Sequence, residues 1–134
     1  MIAVAIVAIL LAVALPSFTN SQRKSHRTDA FAALTAGQQA QERWRSNNAT
    51  YGTTAQLSLP ATTPPPGYYS IAVVDASNTE TEYVLTATAV AGSAQAGDSD
   101  CQVIAVRMKA GNINYGSSSG GDIDWADTKR CWVR

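Results

Sequence analysis

The chain has 134 residues, with ten basic and ten acidic side chains, one histidine and a formal net charge of zero. That length fits one domain with an appendage, and the neutral balance gives no sign of a general nucleic-acid or anionic-membrane binder. A lone His26, with no nucleophile–base pair and no phosphate-binding glycine loop, argues against an enzyme and against any cofactor. The average conceals an asymmetry. No charge precedes Arg23; Arg23, Lys24, His26 and Arg27 then form a basic knot, and nine of the ten acidic residues lie after position 40.

Met1 to Phe18, MIAVAIVAILLAVALPSF, is an apolar run interrupted only by Pro16 and Ser17. As a helix it reaches ~27 Å, slightly under the ~30 Å hydrocarbon core of a bilayer. A secretory signal peptide fits poorly, because no basic region precedes the run. The basic knot follows the run, which puts that side in the cytoplasm, whereas a disulfide further on requires an oxidising compartment. A short basic leader upstream of Met1 in the native precursor is therefore expected.

Residues 19–47 continue with helix-compatible sequence. Ala30, Leu34, Gly37, Gln41 and Trp44 recur at three- and four-residue spacing, with Phe31 beside them, and predict a narrow stripe resting on a small sheet. His26 reads as a solvated helix residue. Asn47 and Asn48 supply a stop, and Asn48-Ala49-Thr50, which fits a glycosylation sequon, reads as a helix-ending turn. One helix from Met1 to about Ser46, ~70 Å long, is expected. Its first half is apolar all round and must sit in lipid or against other copies. The predicted division is 1–48 for this helix and 49–134 for a β-rich head.

In the head, Pro60 and Pro64-Pro65-Pro66-Gly67 mark a loop. Three strands are predicted at Tyr68–Asp75, Thr81–Ala89 and Gln102–Lys109, forming an antiparallel meander with one face free for the helix. Residues Gly111 to Arg130 read as a turn-rich tail, followed by a short edge strand at Cys131–Val133. Cys101 and Cys131 bracket this core-poor stretch. A disulfide between them closes about 30 residues and stabilises by roughly 3–4 kcal/mol. Asp122, Asp124 and Asp127 raise calcium, but their spacing does not match an EF-hand and a solvated turn is the simpler reading. Arg107, Lys109, Lys129, Arg130 and Arg134, with Trp125 and Trp132 among them, form a candidate nucleic-acid stripe whose field the nearby aspartates weaken.

The opening run, the basic patch and DAFAALTAGQQAQERWRSNNATY, together with GYYSI, TEYVLTATA, AQAGD before a cysteine and the closing Cys131-Trp132, resemble the type IV pilin family. The likeness is to type IVa pilins and related minor pilins. The resemblance implies an α+β pilin fold, a long N-terminal α-helix packed on a small antiparallel β-sheet. It also implies a subunit anchored once in the bacterial inner membrane, which then polymerises with itself, with other pilins and through the assembly machinery into an extracellular filament. Such filaments serve adhesion, twitching motility or DNA uptake. In these terms Ile2, Val4, Ile6, Val7, Ile9, Leu10, Leu11, Val13 and Leu15 are the filament-packing residues. Pro16 is the helix break, with local unwinding at about Ile9 to Pro16 in the filament. Cys101 and Cys131 bound the variable loop, and Lys129, Arg130 and Arg134 are candidate DNA contacts. The family's leader glycine, methylated first residue and glutamate have no counterpart in this sequence. The rival readings are a pseudopilin of a type II secretion system and a membrane-anchored periplasmic binding domain that never polymerises.

Overall fold

The computed structural model describes residues 2–60, 63 and 67–132, with the side chains of Ala5 and of residues 11–17 outside that description. Helix α1 (Ile2–Arg45) carries the whole N-terminal third of the chain. Over its C-terminal half the stripe residues do what their spacing predicts: Ala30, Leu34 and Gln41 are fully buried against the sheet. Gly37 lets the helix approach closely, since a Cβ there would stand 3.1 Å from Leu85 Cδ1. Gln41 ties the helix to the chain beyond it, its amide donating to the Gly52 carbonyl at 2.9 Å and its oxygen accepting from the Gly52 N–H at 2.8 Å. At the C-terminus, Asn48 Nδ2 donates to the Trp44 carbonyl at 2.8 Å and satisfies one of the open acceptors of the last turn.

Among the described residues between Ile2 and Leu10 the helix has no such cover. Ile2, Val4, Ile6, Val7, Ile9 and Leu10 are all more than half exposed. Leu11, Val13, Leu15 and the Pro16 ring lie outside the described side chains. The α1 backbone is helical across Ile9 to Pro16 in this isolated chain; the unwinding expected there concerns the packed filament. Among the described residues, no helix is long and apolar enough to cross a membrane.

A one-turn helix, α2 (Thr54–Leu57), opens with a capping box between Thr53 and Gln56. Four strands follow: β1 (Tyr69–Val73), β2 (Glu82–Ala89), β3 (Val103–Lys109) and β4 (Asn112–Ser118). They form one antiparallel meander in the order β1-β2-β3-β4. Alternation sends Tyr69, Ile71, Tyr83, Leu85, Ala87, Ile104 and Val106 inward, where they meet Ala30 and Leu34 in a single core.

The observed sheet has one strand more than the sequence suggests. Asn112–Ser118 reads as turn-rich because only Ile113 and Tyr115 alternate in it, yet it pairs with β3 along its full length. The hairpin is made by Ala110 at φ 48° and Gly111 at φ 82°, the left-handed pair that a two-residue connection between twisted strands requires. Conversely, Cys131 and Trp132 form no strand among the described residues. Trp132 instead folds inward, stacked on Phe31 with ring centroids 4.6 Å apart and tilted against Tyr115 at the same distance. A residue read as a candidate base-stacking surface is thus partly buried and packed against the core.

Candidate nucleic-acid interface

The C-terminal segment after β4 wraps the edge of the sheet, and its course fixes where the basic residues lie. Ser117 and Asp124 exchange backbone hydrogen bonds of 3.1 and 2.9 Å, which turns the chain back along the outer face. There Ile123 and Trp125 sit on Gly116. A Cβ on that glycine would come 2.6 Å from Ile123 and 2.8 Å from Trp125, so a residue with any side chain would push the segment off the sheet. Ala105, the strand partner of Gly116, is fully buried beneath this cover.

Asp127 then acts as the hub of the return. It is buried, at φ 48°, and accepts from Ser117 Oγ at 2.8 Å, from the Cys131 N–H at 3.0 Å and from the Trp132 N–H at 3.1 Å. Asp124 accepts from the Thr128 hydroxyl, the Thr128 N–H and the Ala126 N–H. These bonds, that from the Thr128 hydroxyl first, hold its carboxyl below the ordinary carboxylate range. Both carboxylates are therefore engaged in shaping the loop, and among the described residues no three metal-ligating side chains gather. Cys101 and Cys131 close the segment in a disulfide with Cα atoms 5.6 Å apart.

Against this frame the basic residues divide. Lys109 Nζ lies 3.6 Å from Glu82 and Lys129 Nζ 3.3 Å from Asp100, both at the surface, so each lysine brings its own counter-charge. Arg130 is exposed at φ 52° beside a cleft of about 310 Å³ lined by Ala126, Asp127 and Trp132. Arg134 lies outside the described residues. Arg107 is different. Its guanidinium carbon sits 4.4 Å above the centre of the Trp125 ring, and its Nε is buried without a hydrogen-bond partner. Among the described residues it has no carboxylate in ion-pair range. A cation held over an aromatic face, with no anion paired to it among the described residues, is a donor positioned for an external one. Trp125, gripped between Gly116 and Arg107, holds that guanidinium in place and does not offer a free face for a base.

A second cluster lies where α1 enters the head, just ahead of Cys101. Arg27 Nε and Nη2 donate to Asp98 Oδ2 at 2.9 and 2.6 Å, and Gln95 Nε2 donates to the same oxygen at 2.7 Å. The Tyr69 hydroxyl lies under this group and donates to the Cys101 carbonyl at 3.3 Å. Burial, and then the Asp98 charge, push its phenol well above the ordinary range. His26, read from the sequence as solvated, is buried and stacked on Tyr68 with ring centroids 3.5 Å apart. The signal was there: stepping four residues back from Ala30 along the buried stripe lands on His26.

A helix whose described side chains from Ile2 to Leu10 are exposed, seated by its second half on a four-stranded meander and followed by a C-terminal segment closed by a disulfide, is a pilin architecture. Comparison with known families matches residues 16–105 to the one described as type IV minor pilin ComP, DNA uptake sequence receptor. The chain belongs to that family, and is accordingly a type IV pilus subunit that associates with other pilins in an extracellular pilus. Comparison with curated proteins finds no match. The family match stops at Ala105, two residues before Arg107, so none of the C-terminal basic residues falls within it.

Proposed function

We propose that this chain is the DNA-engaging minor subunit of a type IV pilus. On this reading the bare half of α1, including Ile2, Val4, Ile6, Val7, Ile9 and Leu10, packs against sister helices. The head then presents its outer sheet face and C-terminal segment to solvent. DNA is held there through its phosphates, with Arg107 as the principal contact and Arg130 and Arg134 as supporting ones. The observation that carries this is the Arg107 guanidinium, fixed on Trp125 and unneutralised, in a chain of a family described as a DNA uptake sequence receptor. Phosphate contacts of this kind position DNA and confer salt-dependent affinity.

The test is a binding titration of double-stranded DNA against the full chain in detergent at several salt concentrations. Affinity is expected to fall with rising salt, and the slope of log K against log salt is expected to shrink by about one in Arg107→Gln. Lys109→Gln and Lys129→Gln, whose charges are already paired, are expected to change it less. Equal loss from all three substitutions, or no binding at low salt, would remove Arg107 from this role.

A further inference from the structure

Where α1 leaves the head, a cleft of about 390 Å³ opens between the helix and the turn that precedes Cys101. It is lined by Phe18, Gln22, Arg23 and His26 on the helix side, and by Tyr68 and Ala94 on the other. Its position is set by the sequence. It spans the point at which an uncharged stretch of 22 residues gives way to the first basic side chain. Phe18, at the apolar end, is 63% exposed.

Three features of this cleft suit a ligand. Arg23 is half-buried and lies over the head: its Nη2 stands 2.7 Å from where a Cβ on Gly97 would be, so the absence of a side chain at Gly97 leaves room for it. Among the described residues it has no carboxylate in ion-pair range, whereas Arg27, one turn on, is paired with Asp98. His26 is nine-tenths buried, and its Nδ1 has no hydrogen-bond partner. The stacked His26 and Tyr68 rings give the cleft an aromatic floor.

A cation at the boundary between an apolar helix and a polar head, flanked by an exposed phenylalanine, is an arrangement that suits a bilayer at headgroup level. We propose that this cleft holds the phosphate of an anionic phospholipid, with the acyl chains running down the bare half of α1, while the subunit waits in the membrane. The proposal rests on the reading that this half of the helix lies in a bilayer before assembly. Charge complementarity selects the occupant: a zwitterionic headgroup brings its own cation to the phosphate, and an anionic one leaves the phosphate to Arg23.

The full chain is reconstituted into vesicles of phosphatidylcholine with a minority of phosphatidylglycerol. Flotation reports insertion, and mass spectrometry of the extracted protein reports the lipids that stay bound. Phosphatidylglycerol is expected to be retained about fivefold over its share, as one basic residue near a membrane surface allows. Arg23→Gln and the cleft-filling Ala94→Trp are each expected to abolish the preference without changing flotation, whereas Lys24→Gln, at an exposed position outside the cleft, keeps it. A chain that floats but shows no preference overturns the proposal and leaves the membrane reading standing. A chain that does not float overturns both. Equal loss in Lys24→Gln would mean diffuse attraction rather than a site. An Ala94→Trp chain that keeps the preference but no longer assembles filaments would give the cleft to a sister subunit.

Discussion

Between Ile2 and Leu10, α1 shows solvent a run of large aliphatic side chains; between His26 and Gln41 the same helix buries an aromatic stack, two apolar residues and a glutamine on the sheet. Backbone conformation is common to the two halves, and the source of stability is not. The upper half is helical because a sheet holds it, through Leu34, the close approach at Gly37 and the Gln41 grip on Gly52. Between Ile2 and Leu10 the described side chains are exposed, and they contribute little to stability until lipid or other copies cover them. A helix can thus be structural in one half and adhesive in the other with no change of backbone, because burial rather than propensity decides what each half does.

That contrast can be broken most forcefully at Leu34. Leu34→Ala leaves a cavity under a fully buried side chain, and is expected to cost about 2–5 kcal/mol in chemical denaturation of the head. Replacing both Cys101 and Cys131 by serine is expected to cost about 3–4 kcal/mol in the same measurement. Arg27→Ala removes two donors from the buried Asp98 carboxylate and is expected to cost roughly 2–3 kcal/mol. A double-mutant cycle with Asp98→Asn separates the pair from its neighbours. At the other extreme, Ile6→Ala is expected to move head stability by no more than about 0.5 kcal/mol while reducing assembly in a pelleting assay. A drop in head stability there as large as at Leu34 would mean that the two halves are not independent.

Much of this was legible in the sequence. The apolar run, the helix, its buried stripe and three of four strands follow from periodicity, because in each the side chains that face the core differ in type from those that face out. β4 was not, for a physical reason. Its inward residues are few, and its most important position is Gly116, whose contribution is to have no side chain where Trp125 must lie. His26 was misread because a basic neighbourhood suggested solvent, although its spacing placed it on the stripe. In the candidate DNA site, Lys129 and Arg130 were visible as charges. What distinguishes Arg107, a guanidinium laid on an indole 18 positions away, depends on the wrap of the C-terminal segment, which no local pattern encodes. Trp132 was placed with the exposed aromatics by its neighbours in sequence, and the fold places it against Phe31.

The route of the C-terminal segment has a mechanical consequence. It lies against the outer face at Trp125, crosses the β4 edge at Asp124 and Asp127, and ends inside on Phe31 of α1, with Trp132 Nε1 donating to the Gly116 carbonyl at 2.8 Å. The chain is turned round the edge strand like a rope round a post. Peeling of this segment from its C-terminal side is stopped at Cys131, where the disulfide to Cys101 anchors it just ahead of β3. Trp125 therefore stays on Gly116 between two fastenings, the Ser117–Asp124 pairing on one side and the disulfide on the other.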